Sequence, residues 1–132
     1  MFKRNLLASF AAASLALALI GEKPVLAAPG APIGTEAVLV KMIEAVKAQS
    51  YDDFLINADA RLKSQLSRQQ FEGICGLYTA PLRKGYKLEY LGQLRQQGAI
   101  VLLWKINVVE SQDDTLIRFV MKDGKVDGFS VH

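Results

Sequence analysis

Apolar positions in this chain follow two different periods, and the change between them falls at Gly85. In the front half Leu39, Met42, Ile43 and Val46 recur at i, i+3, i+4 and i+7. That is one helical stripe, with Lys41, Glu44 and Lys47 on the wet side. Thr35 stands where its N-cap is expected. Ser50 followed by Asp53 makes a capping box with the shorter acid, opening a second helix through Tyr51, Phe54 and Leu55 that fades near residues 57–60. Ser67 with Gln70 is a fuller capping box, and Phe71, Ile74, Cys75 and Tyr78 repeat the helical stripe behind it. Pro81 has no N–H to give a helix ladder, so this third helix is expected to bend or finish by Ala80.

Behind Gly85 the pattern alternates. Tyr86, Leu88 and Tyr90 interleave with Lys87 and Glu89, and Gly92 marks a bulge before Leu94. Gln96-Gln97-Gly98 reads as a turn. The strand at 100–109 sets Ile100, Leu102, Trp104, Ile106 and Val108 on one face, and Val101, Leu103 and Val109 on the other, so its first half is apolar on both sides, as in a central strand. Residues 111–114 turn the chain into a third strand at 116–121. Asp123-Gly124 then has the composition of a two-residue type I′ hairpin, which needs positive φ at both centres. In the simplest register the fourth strand (125–131) pairs Met121 with Val126, Phe119 with Gly128, Arg118 with Phe129 and Val120 with Asp127. Four strands with one apolar face do not stand alone in water, and the helical stripes are the available cover. The fold class is therefore α+β, with N-terminal helices packed on a curved four-stranded antiparallel sheet.

Residues 1–27 carry a different message. Lys3 and Arg4 precede an uncharged apolar run at 6–20, and Val25-Leu26-Ala27 offers a cleavage point before Ala28. These parts in this order make a Sec-type signal peptide, and the run is too short for a stable membrane span after processing. The expected organisation is a signal at 1–27, an irregular mature N-terminus at 28–34 and a single domain at 35–132, in a periplasmic or secreted protein. Cleavage removes three of the 16 basic residues and one of the 13 acidic ones, so the net charge falls from +3 to +1 and gives no reason to expect nucleic acid.

Chemistry-bearing residues are few. The one histidine, His132, is the last residue, where a general base lacks neighbours to hold it. Cys75 sits on the apolar stripe and reads as a small core residue. Asp52/Asp53 suit a first helical turn and Asp113/Asp114 a loop, and neither pair has the spacing of a calcium site. Arg83, Lys84 and Lys87 read as a solvated helix–strand junction. The glycines form no phosphate-binding motif. No catalytic set, metal site or cofactor is expected. Tyr86, Tyr90, Trp104 and Phe119 are the candidates for lining a ligand pocket. Glu89 and Asp127 are the polar candidates should the domain be an enzyme.

The stretch from Val40 to Leu66, with its Ser50-Tyr51-Asp52-Asp53-Phe54 segment, and the ending Asp123-Gly124-Lys125-Val126-Asp127-Gly128-Phe129 together resemble NTF2-like (cystatin-like superfamily) domains. They are most similar to exported families of the DUF3887/DUF4019 type. The resemblance implies a cone-shaped sheet wrapped on helices, often with a pocket and often a homodimer through the sheet face. It implies no catalytic set, because the Asp, Tyr or His groups of enzymatic relatives have no residue-by-residue match here. The Gln93-Leu94-Arg95-Gln96-Gln97-Gly98 segment departs from the Q-x-V-x-G loop of cystatin inhibitors. The expectation is thus an exported non-catalytic module that self-associates or binds a small apolar ligand or a protein partner. The alternatives are a small isomerase or cyclase using carboxylate and tyrosine groups, and a ligand-free envelope scaffold.

Overall fold

The computed structural model describes residues 30–132, so the signal peptide expected at 1–27 lies outside the described residues. Four helices precede four strands: α1 (Thr35–Ala48), α2 (Tyr51–Phe54), α3 (Ala60–Gln65), α4 (Arg68–Arg83), β1 (Tyr86–Gln96), β2 (Ala99–Val108), β3 (Thr115–Lys122) and β4 (Lys125–Val131). The strands form one antiparallel meander in the order β1-β2-β3-β4. The fold is α+β, helices on a four-stranded sheet, as the change of period predicts.

The stripes meet where the pattern places them. Leu39, Met42, Ile43 and Val46 of α1, with Phe71 and Cys75 of α4, pack against Leu102, Trp104 and Ile106 of β2 and against Ile117, Phe119 and Val126 beyond it. Phe54 fills the far end, edge-on to Phe129 at 5.4 Å and tilted against Phe71 at 5.2 Å. On the opposite side of the sheet Ala99, Val101 and Val120, with Leu103 against them, form a small separate apolar cluster. That cluster explains why β2 is apolar on both faces.

α1 and α4 are joined by side chains that close the open end of α1. The last carbonyls of a helix lack partners within it. Here the Val46 carbonyl accepts from the Thr79 hydroxyl at 2.7 Å, with the Cys75 thiol at 3.8 Å. The Lys47 carbonyl accepts both Nε (2.9 Å) and a terminal nitrogen (2.6 Å) of Arg83.

Several local features depart from expectation. Gly34, in the left-handed region at φ 86°, is the N-cap of α1, and the Thr35 hydroxyl instead donates to the Pro32 carbonyl at 2.7 Å. Ser50 caps α2 as predicted, but the helix lasts one turn. A separate α3 follows, started by the Asp59 carboxylate accepting from the Leu62 N–H at 3.0 Å. The Ser67–Gln70 capping box is complete in both directions. α4 does not finish at Ala80 but runs through Pro81 to Arg83. The proline costs one ladder bond near the helix end, while buried Leu82 and the Arg83 clamp hold the last turn in place.

In the sheet, the Gly92 bulge is present, with Leu91 as the unpaired residue, and Gly92 adopts φ 153°. Gln97 and Asp123 take positive φ (53° and 51°) ahead of Gly98 and Gly124, the signature of two-residue hairpins. The β3–β4 register differs from the simple one. A second bulge at Asp127 slips the strand by one, so Phe119 faces Phe129, Val120 faces Gly128 and Arg118 faces Ser130. The slip keeps both Val126 and Phe129 on the helix side. β4 is further held at its start by a parallel bridge in which Val126 donates to Asn57 (2.8 Å) and accepts from Asp59 (2.9 Å).

Candidate functional site

Between α4 and the inner face of β2–β4 the packing leaves an apolar groove of about 230 Å³. Its helical wall is the outer half of the α4 stripe. Ile74, Leu77, Tyr78 and Pro81 stand one turn apart on that side, above Ile43 and Val46 of α1. Its sheet wall is Ile106 and Val108 of β2, Ile117 of β3, and Phe129 and Val131 of β4. Ser111 and Thr115 close the end at the β2–β3 loop. No lining residue carries a charge. The hydrogen-bonding side chains are the hydroxyls of Tyr78, Ser111 and Thr115. Leu77, 69% exposed, forms the lip. Pro81 has no N–H to give the Leu77 carbonyl one turn before it, so a helix carbonyl at this wall lacks its usual donor.

The candidate residues read from the sequence sit elsewhere. Trp104 and Phe119 are wholly inside the core. Among the described residues the Trp104 indole N–H has no hydrogen-bond partner, and its ring lies 5.2 Å from that of Tyr90. The Tyr90 hydroxyl donates to the Gln93 side chain. The Tyr86 hydroxyl donates to Glu44 at 3.0 Å, with Lys47 above its ring, and burial together with that carboxylate pushes its pKa up to about 12. Glu89 is solvent-facing, bonded to Lys105 at 2.9 Å. Asp127 lies in the β4 bulge, bonded to Arg61 at 3.1 Å. The neighbouring Asp59 carboxyl holds the Asp127 pKa above its ordinary value, while Asp59, held by the Leu62 N–H, is lowered. The structure therefore brings Glu89, Asp127 and the two tyrosines to separate places, and none lines the groove.

The other chemistry-bearing residues have structural partners. Cys75 is buried and free, and among the described residues no group of three or more His, Cys, Asp or Glu could hold a metal ion. Asp114 accepts from Asn107, and Lys84 pairs with Glu110 at 3.0 Å. His132 is exposed, and its backbone exchanges two hydrogen bonds with Leu116, so it is better held than a frayed terminus. No helix among the described residues is long and apolar enough to cross a membrane.

Fold and groove together define the class: an α+β domain with helices on an antiparallel meander and an uncharged cleft between the layers. Two solved structures are similar to the chain. An NTF2-like protein of unknown function from Cytophaga hutchinsonii is 9% identical over 78% of this chain and 92% of its own, with a TM-score of 0.40. TerC, crystallised with polyporic acid, is 12% identical over 74% of this chain and 88% of its own, with a TM-score of 0.43. Likeness at this level carries no activity across. No family model matches the sequence, and no curated protein does.

Proposed function

We propose that residues 35–132 are a non-catalytic NTF2-like module, exported after removal of residues 1–27, that binds a small uncharged apolar molecule in the groove between α4 and the sheet. The observation that carries this reading is the composition of the lining: apolar side chains on both walls and only hydroxyls at the rim. Ligand sites are apolar clefts with a few polar groups that fix orientation. An engineered apolar cavity of about 150 Å³ admits benzene, so 230 Å³ suits a molecule of one or two rings. For about ten heavy atoms at roughly 0.5 kcal/mol each, binding of about 5 kcal/mol corresponds to a Kd on the order of 0.2 mM.

Titration calorimetry with 1-naphthol and with 1-naphthoate tests this reading. Naphthol binds at sub-millimolar concentration, and Leu77→Glu or Val131→Glu, which bring a carboxylate to the lining, abolish that binding. Any heat from naphthoate is unchanged by these two substitutions, because no cation meets its carboxylate in the groove. Failure of naphthol to bind, or binding untouched by both substitutions, removes the proposal.

Self-association through the sheet face is the second reading, favoured by Leu91 and Leu94. Both are about half exposed on β1, where Leu94 pairs with Val101 and Leu91 is the bulged residue before Gly92. Monomers rarely leave large contiguous apolar patches in water. Sedimentation that shows only monomer at high micromolar concentration counts against it.

A further inference from the structure

On the face of the sheet turned away from α1 and α4 lies a second and larger concavity, about 700 Å³. Its origin is local. Val101 and Val120 pair directly across β2 and β3 to form the floor, and Val120 faces Gly128, where no side chain rises from β4. A Cβ at 128 would meet Val120 at 3.5 Å, an ordinary contact, so an alanine fits there but makes the trough shallower. The β1–β2 turn (Gln96, Gln97) overhangs one end, and α3 (Arg61, Gln65) overhangs the other.

Charge in this concavity is unbalanced. Arg61, Arg118 and Lys122 line it against a single acid, Asp127, which Arg61 already holds at 3.1 Å. Lys122 stands within electrostatic reach of the same carboxylate. Arg118 is different: it is half-buried at the middle of the sheet, and its register neighbours are Leu103 and Ser130. Among the described residues it has neither a hydrogen-bond acceptor nor an ion-pair partner. By contrast Arg61, Arg68 and Arg83 each have an acceptor, and Arg95, which has none among the described residues, is exposed to solvent. A guanidinium partly removed from water, with its planar fork unpaired, is matched by a two-oxygen anion.

We infer that this outer concavity is a binding site for a small organic oxyanion, a carboxylate or a phosphate ester, held head-first by Arg118 with Lys122 beside it. The organic body lies on Val101 and Val120, and Gln96, Gln97 and Ser130 supply neutral polar contacts around it. The site is separate from the apolar groove and takes the opposite kind of molecule, so one can fail while the other stands.

The test is an amide and arginine-side-chain NMR titration of the protein with benzoate, phenyl phosphate, benzyl alcohol and inorganic phosphate. At least one of the two organic anions gives saturable shifts at Gly128, Ser130 and the Arg118 Nε–H, and which one binds more tightly identifies the head group. Benzyl alcohol leaves these signals unmoved. Arg118→Gln weakens the binding about tenfold or more, in keeping with loss of a charge-assisted bond. Gly128→Ala weakens it as well, with the rest of the spectrum unchanged, and Arg68→Gln has no effect. The inference fails if neither anion saturates, if benzyl alcohol shifts the same signals, or if Arg118→Gln binds as wild type. It fails equally if inorganic phosphate alone reproduces the response, which would mark an adventitious ion only.

Discussion

Truncating Leu102 and Leu94 to alanine separates the sheltered face of the sheet from the open one with identical chemistry. Leu102 is fully buried on β2 beneath the helices, beside Phe119, whereas Leu94 on neighbouring β1 is 50% exposed on the other face. Loss of a buried leucine side chain costs about 2–5 kcal/mol, from lost transfer energy plus the cavity left behind. At Leu94 half of the side chain is already wet and nothing encloses the gap, so the cost is about 1 kcal/mol or less. The 103 described residues imply a total stability of roughly 5–15 kcal/mol, which leaves the Leu102 variant folded but weakened. With a urea slope of about 1.5 kcal/mol per molar, a loss of about 3 kcal/mol lowers the midpoint by about 2 M. Trp104 is the only tryptophan and is fully buried, so its fluorescence reports unfolding directly. Equal midpoint shifts for the two variants would refute the claim that the helices cover only one face.

Other consequences can be measured on the same protein. Ser67→Ala removes half of the α4 capping box and lowers stability by about 1 kcal/mol, which melting curves register as a drop of about 4–8 °C. Absorbance titration of tyrosinate detects one group ionising near pH 12, and Glu44→Gln lowers that value. Because the Tyr86 pKa is raised on folding, the native state holds the proton more tightly than the unfolded chain. Its contribution to stability is complete below pH 10 and is lost between about 10 and 12. Asp127→Asn keeps a hydrogen-bonding group beside Asp59 and removes a like charge. It is expected to leave stability at pH 7 unchanged or raised despite the lost Arg61 pair, and a clear fall in the urea midpoint would contradict this.

Features that depend on a few adjacent residues were readable from the sequence, and those set by distant packing were not. Asp123-Gly124, the Ser67–Gln70 box and the Gly92 bulge each rest on local backbone preference. The alternation in β1 and β2 assigned the inner faces correctly because a buried face admits one register. The Asp127 bulge has no such local mark. It arises because Val126 and Phe129, an odd number of positions apart, both belong on the helix side. Pro81 stays helical because Leu82 is buried in the core and Arg83 is held by the Lys47 carbonyl of α1, neither of which can be seen in the α4 sequence. α3 is short and polar; its Asp59 cap is local, but buried Leu62 and the Arg61–Asp127 pair to β4, which hold it in place, are not legible in its own sequence. The groove was illegible for a similar reason. Ile74, Val108 and Val131 look like any core residue, and nothing in their spacing says that the helix above them stands off from the sheet. Arg118 sits in an alternating strand like any solvent-facing residue, and only half-burial together with the absence of an acceptor among the described residues sets it apart.

The central claim, that the layers enclose an uncharged cleft able to admit a small apolar molecule, is tested most directly by a methyl-labelled NMR titration with 1-naphthol. The account predicts saturable shifts confined to the methyls that line the groove, Ile74, Leu77, Val108, Ile117 and Val131 among them, with Leu94 and Val101 on the outer face unmoved. Shifts centred on Leu94 and Val101, or none that saturate, would contradict it.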